Sequence, residues 1–160
     1  MLQACRQRAE ALGIAGRCVF HEGYLESLPA TAAFDAATCF LVSQFILDEQ
    51  ARSLFFREIA QRLRPGGLLA SSDLSADTEA ASYEGLLAVW LRTITGGDGA
   101  NGADGANGAD GTHGAGPSHE RIEQMLAAYR RDVAVLAPPR LEALVASAGF
   151  EPPLPFFQVG

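Results

Sequence analysis

The stretch from Phe34 to Asp73 constrains the fold of this chain more than any other. It reads as strand, helix, sharp stop, strand. Phe34-Asp35-Ala36-Ala37-Thr38-Cys39-Phe40-Leu41-Val42 is a nearly unbroken apolar run with β-branched and aromatic residues. That is the pattern of a parallel strand covered on both faces. Asp48 to Arg64 then switches to helical spacing, with Ala51, Leu54, Phe55, Ile59 and Leu63 on one side. Arg62 and Arg64 fall in the last turn, where positive charge suits the negative end of the helix dipole. Pro65-Gly66-Gly67 stops the helix, and Leu68 to Asp73 returns as a second strand. A right-handed crossover makes this a βαβ unit with both strands parallel in one sheet.

With 160 residues, 48% of them hydrophobic, the chain suits one modest domain, 1–160, with a packed core in at least part of it. The formal charge is −7, and all 12 basic residues are arginine. Net charge of that sign does not support generic nucleic-acid binding, which needs clustered positive charge, although a local arginine patch stays open. The cysteines, Cys5, Cys18 and Cys39, are odd in number and lack metal-ligand spacing. They read as reduced thiols of a cytoplasmic protein, with no metal expected. No apolar run approaches the roughly 20 residues that span a bilayer, so no membrane partner is expected. Arg6, Arg8 and Glu10 sit inside a helical pattern, which is not that of a signal peptide.

Along the chain, Met1 to Leu12 reads as a short amphipathic helix with Gly13 as its stop. Arg17 to Glu22 reads as a short strand, followed by the loop Gly23 to Pro29 at its carboxyl end, where ligands bind in open α/β sheets. After the central unit, Thr78 to Thr95 reads as a helix with Tyr83, Leu86, Leu87, Trp90, Leu91 and Ile94 on its apolar face. Residues 96–116 contain Gly-Ala-Asn-Gly-Ala-Asp twice in tandem and no large apolar residue. They read as a flexible Gly/Ala/Asn/Asp insertion. A calcium reading of Asp98, Asp104 and Asp110 is disfavoured, because a calcium β-roll needs a nine-residue repeat with an inward apolar residue. Ser118 caps a further helix with Ile122, Met125, Leu126 and Tyr129 on its face. Asp132 to Ala137 is an extended link, Arg140 to Ala148 a helix stopped by Gly149, and Leu154 to Val159 a last strand.

This order of parts resembles the class I S-adenosylmethionine-dependent methyltransferases. The turn Leu63-Arg64-Pro65-Gly66-Gly67 before a strand is the most specific feature, and Ala148-Gly149-Phe150-Glu151 before a final strand is the second. Gln44-Phe45 and Phe156-Phe157-Gln158 look similar to the branch containing the carboxy-S-adenosylmethionine synthases of tRNA wobble-uridine modification. The resemblance implies an α/β, Rossmann-like methyltransferase sheet with S-adenosyl-L-methionine as cofactor. It also implies an incomplete sheet. The family's D-x-G-x-G loop and first two strands have no counterpart here, nor does its seventh strand. In the family order 3-2-1-4-5-7-6 only strands 4 and 5, the Phe34–Asp73 stretch, keep their neighbour. Unpaired buried backbone is costly, so the chain alone is expected to be marginally stable or rearranged and to bind cofactor weakly. A cooperative thermal transition with full exchange protection would refute that expectation.

The resemblance places the adenine contact at Tyr24-Leu25, with Tyr24 where the family has an acid and Glu22 or Glu26 as substitutes. Leu25 would cover the adenine face. The competing reading of Gly23 to Pro29 is a plain surface loop. Leu41, Val42 and Ser43 end the strand that faces the cofactor. Leu41 and Val42 also serve as core, whereas Ser43 and Gln44 are polar residues that packing alone does not call for, and they read as functional. Asp73 either orients substrate or caps the next loop. His21 is a packed or partly exposed strand residue, His113 and His119 are solvated, and Cys39 is inert core. Tyr83 and Trp90 are core within the region where the family builds its substrate lid. Arg121, Arg130 and Arg131 form a solvated face or, in the tRNA-linked branch, meet an anion. Methyl transfer is displacement at a sulfonium carbon and requires no acid–base triad, so no catalytic residue is assigned. The leading reading is a class I methyltransferase, an incomplete chain, with a small-molecule or unknown methyl acceptor. The alternatives are carboxy-S-adenosylmethionine synthesis and a non-catalytic remnant or partner-dependent fragment.

Overall fold

The computed structural model describes residues 1–29, 34–94 and 119–156. The 96–116 repeat with its calcium reading, His113, the Ser118 cap and residues 157–159 of the expected last strand lie outside the described residues. The chain runs α1 (Leu2–Ala11), two 3-10 turns (Ala15–Arg17 and Leu25–Ser27), then β1 (Phe34–Phe40) and a third 3-10 turn (Ser43–Phe45). It continues through α2 (Glu49–Arg62), β2 (Leu63–Ser72), α3 (Tyr83–Ile94), α4 (His119–Asp132) and α5 (Pro138–Ser147). This is a mixed α/β arrangement with a two-stranded parallel sheet, β1 beside β2, among the described residues.

The βαβ unit forms where its sequence pattern places it. Asp48 caps α2, its carboxylate accepting from the Ala51 N–H at 2.7 Å. The stop signal is built into the strand that follows. Phe34 pairs with Leu63 and Ala36 with Leu68, so Arg64 to Gly67 is taken up as a bulge in β2. Pro65 has no N–H to contribute there, and Gly66 sits at φ 78° in open space. Gly67 is needed for a different reason. A Cβ at that position would lie 2.9 Å from the Arg64 carbonyl oxygen and 3.2 Å from that of Asp35. Gly66→Ala is therefore expected to cost about 1 kcal/mol through left-handed backbone strain. Gly67→Ala should cost about 1–3 kcal/mol through overpacking against backbone. Urea denaturation of the two variants checks that order.

The core lies on one side of the sheet. Phe56, Ile59 and Leu63 pack against Leu144, Val145 and Ala148 of the α5 region, with Ala37 and Leu69 of the sheet partly buried against them. The inward stripe of α2 is thus Arg52, Phe56, Ile59 and Leu63, spaced i, i+4, i+7, i+11. Leu54 is half exposed, and Ala51 faces out. The expected stripe was rotated because an arginine occupies the position that an apolar count skips. Arg62 is also buried rather than facing solvent in the last turn, and Arg64 lies in β2, paired at the surface with Asp35 at 2.5 Å.

Other departures follow from missing partners. Cys18 is extended, but Cys18 to His21 forms no strand, since no described segment pairs with it. Leu154 to Phe156 is likewise irregular. The 132–137 link makes a single parallel bridge, Leu136 with Ser75. The sheet is covered on one face only among the described residues. Phe40 and Leu68 are exposed on the other face, against the expectation of cover on both.

α3 starts at Tyr83 rather than Thr78 and packs on α4. Leu87 and Leu91 are buried, while Leu86 points outward. Trp90 meets Tyr129 with ring centroids 5.7 Å apart. Burial, the Tyr83 neighbour and a hydrogen bond donated to Tyr83 push the Tyr129 phenol up to about 12. A phenol in the unfolded chain ionises near about pH 10. Between those values the unfolded state has fewer bound protons than the folded one, so stability falls as pH rises. The urea midpoint is expected to drop over that window, and to drop less in Tyr129→Phe.

Candidate functional site

The carboxyl ends of β1 and β2 are joined by a buried polar knot. Leu41, just past β1, has φ 54°, an uncommon angle for a leucine, while its N–H donates to the Ser72 carbonyl at 2.7 Å. This turn leaves Val42 half exposed and sends Ser43 and Gln44 inward, 0% and 3% exposed. The Ser43 hydroxyl donates to Asp73 Oδ1 at 2.7 Å, and the Gln44 N–H donates to the same oxygen at 3.0 Å. Arg52 Nε donates to Ser43 Oγ at 2.9 Å, and its Nη2 lies 3.4 Å from Asp73 Oδ1. Arg52 Nη1 reaches across to the Ala134 carbonyl at 3.0 Å, and the Ala134 N–H donates to the Gln44 carbonyl at 2.8 Å. Gln44 Oε1 accepts from the Leu74 N–H at 2.8 Å.

Both charges are sealed from water, with 1% and 0% of the Arg52 and Asp73 side chains exposed. Burial pushes the Arg52 guanidinium down from its usual value, and the Asp73 charge opposes that shift most strongly. Cys39 lies alongside, 4% exposed. Burial first, then the Asp73 charge, push its thiol up, which keeps it protonated and inert as expected. The polarity of Ser43 and Gln44 is therefore used internally. Asp73 caps the 43–45 turn rather than the loop that follows it.

Beside this knot, an apolar cleft of about 330 Å³ runs along β1, between the Leu25–Ser27 turn and α2. Its lining includes Leu25, Ala37, Val42, Phe55, Arg62 and Leu63, with Val42 past the carboxyl end of β1, and with Arg62 and Leu63 beside the strand's amino end. Its volume and lining suit a small ligand with a flat apolar part. The loop that supplies Leu25 is cinched. His21 Nε2 lies 2.7 Å from Ser27 Oγ, and the Ser27 hydroxyl donates to the Tyr24 carbonyl at 2.6 Å. A serine hydroxyl has one proton, so the imidazole N–H is the donor to it. Gly23 is required there, since a Cβ would fall 2.6 Å from Ser27 Oγ. Tyr24 itself points into solvent, 86% exposed, at the rim of the loop.

Of the four residues expected to contact a cofactor, the fold places Leu25 and Val42 on the cleft wall, Tyr24 outside it and Ser43 in the knot behind it. The sequence reading missed Arg52 and the inward position of Arg62. The 52-56-59-63 spacing was the available signal for the first. Among the described residues, no helix is long and apolar enough to cross a membrane.

Residues 1–67 match the family model described as a methyltransferase domain. The matched stretch runs from α1 to the bulge of β2 and includes Tyr24, Leu25, Val42 and Ser43. No curated protein matches the chain.

Proposed function

We propose that this chain is a methyltransferase of the class I type that takes S-adenosyl-L-methionine, with a small molecule as methyl acceptor. The observation that carries the reading is the methyltransferase match over 1–67, which includes most of a parallel βαβ unit. Val42, just past the carboxyl end of β1, lines part of an apolar cleft, and that end is where open α/β sheets bind ligands.

The cleft fits the adenine end of such a cofactor. Leu25 and Val42 offer apolar surface to a flat ring, and the exposed Tyr24 precedes Leu25 in the same loop. Ser43 acts through the knot, by holding the 43–45 turn and hence Val42 in place. The cofactor supplies a methyl group on sulfonium, already activated for displacement. The protein has to position and shield it rather than exchange protons with it. The internal use of Ser43, Gln44 and Asp73 is compatible with that division of labour.

Titration of the 15N-labelled chain with S-adenosylhomocysteine tests the reading. Shifts in residues 22–28 and 40–44 are expected, with affinity at least tenfold lower in Leu25→Asp. Absence of shifts at millimolar ligand, or shifts indifferent to Leu25→Asp, would rule it out.

A further inference from the structure

The cleft beside β1 meets the strand along its edge. Four consecutive residues of β1, Ala36 to Cys39, line it, whereas β2 contributes only its first residue, Leu63. Successive side chains leave a strand from opposite faces, so a space that touches four in a row lies against the edge. That edge is the one turned away from β2, and the ladder fixes which backbone groups point out of it. The Leu41 N–H donates to the Ser72 carbonyl, and Phe40 pairs with Ser72. In a strand, alternate residues turn their N–H and carbonyl groups to the same side. Ala37, Cys39 and Leu41 therefore face β2, and Ala36, Thr38 and Phe40 turn theirs the other way. Among the described residues, no backbone group bonds to Ala36, Thr38 or Phe40 from that side.

We propose that this edge takes an extended, uncharged peptide segment of a partner protein, which lies along β1 as a further strand. Free N–H and carbonyl groups recurring at every second residue are matched by another extended backbone. The segment's side chains toward the walls are apolar, because Leu25, Leu28, Phe55 and Ile59 offer no polar side-chain atoms. The absence of charge follows from Arg62. It is already held by the Glu58 carboxylate and the Leu28 carbonyl, and a further charge among these walls would lose its hydration. A slender segment suits the edge better than a second copy does. The turn and helix that wall this cleft flank the copy's own edge too, and the two sets would meet before the strands did. The chain's own end does not fill the cleft. Phe150 is packed on the core, while Leu154 and Phe156 are 85% and 79% exposed. None of these observations depends on the methyltransferase match.

The test is titration of the 15N-labelled 160-residue chain with acetyl-Ser-Val-Val-Val-Ser-amide, and with the same peptide N-methylated on its last two valines. The parent peptide is expected to slow exchange of the Ala36 and Thr38 amides toward that of Ala37 and Cys39, which β2 already protects. It should bind roughly tenfold tighter than the N-methylated peptide, which keeps the apolar surface and loses two donors. Thr38→Pro removes an N–H that faces the cleft and no bond to β2. It should weaken the parent peptide roughly tenfold while Ala37 and Cys39 stay protected. The two peptides decide the matter on the unaltered chain, whatever that variant does. Equal binding of the two peptides, or unchanged exchange at Ala36 and Thr38 at saturation, would overturn the proposal. So would a Thr38→Pro chain with its ladder intact that binds as before. Protection of Ala36 and Thr38 that grows with chain concentration and needs no peptide would assign the edge to a second copy. Protection already present in the dilute chain would assign it to a segment of the chain itself, and either result overturns the proposal. The cofactor titration reads residues 22–28 and 40–44 rather than Ala36 and Thr38, so either reading can fail alone.

Discussion

Arg52→Met is expected to destabilise the chain by about 3–5 kcal/mol, the cost of leaving one member of a buried ion pair alone. Arg52 touches Ser43, Asp73 and the Ala134 carbonyl, and all but 1% of its side chain is out of water. Removing it strands the Asp73 carboxylate, which no solvent reaches. Methionine retains much of the side-chain volume, so the loss would come from charge more than from a cavity. The double variant Arg52→Met/Asp73→Asn separates the two. Asparagine keeps an oxygen to accept from the Ser43 hydroxyl and the Gln44 N–H, and removes the stranded charge. Urea denaturation should then show recovery of roughly half the loss. A double variant no more stable than Arg52→Met would mean that packing, not charge, explains the effect.

Phe56→Ala should be comparably severe, about 3–5 kcal/mol. Phe56 is 0% exposed at the centre of the cluster formed by Ile59, Leu63, Leu144, Val145 and Ala148. Its ring also meets Phe55 edge-on, with centroids 5.5 Å apart. Truncation opens a void between α2 and α5 that flanking backbone cannot close. A domain with total stability of about 5–15 kcal/mol would lose a large part of it. Leu54→Ala, two positions away and half exposed, should change stability by less than about 0.5 kcal/mol. Thermal melts of both variants check the orientation of α2 directly. Equal losses would put Leu54 back on the inner face.

That comparison shows what was legible in the residues. The βαβ unit could be read because strong periodicity and a Pro-Gly-Gly stop are local signals. The orientation of α2 could not, because apolar counting passes over a buried arginine. Arg52 is buried only because Asp73 and Ala134, 21 and 82 positions further on, come to meet it. Cys18 to His21 has strand composition, but whether a strand forms depends on a neighbour that local pattern does not reveal. Ser43 and Gln44, polar where packing alone does not call for it, were read as functional, and the fold uses that polarity internally. Their partners, Asp73 and Leu74, lie some 30 positions away, so the purpose of that polarity was out of reach. Leu25 and Val42 were placed by resemblance, and the fold brings both to one cleft.

The polar knot also divides the chain into parts that open on different terms. The Ala134 carbonyl serves Arg52, the Ala134 N–H serves Gln44, and the Leu136 carbonyl receives the Ser75 hydroxyl and the Ala76 N–H. Breaking the Arg52 and Gln44 bonds leaves a buried polar group unpaired, and the Leu136 bonds tie the same segment to the loop after β2. The segment before α5 and the βαβ unit must therefore unfold together, as one cooperative block. The first 22 residues stand outside it. α1 rests chiefly on the turn after it, with Ala9 buried and Arg6 over the Phe20 ring. That end can fray and re-form while the rest stays closed, so protection against exchange should rise in a step between Phe20 and Phe34 rather than gradually along the chain.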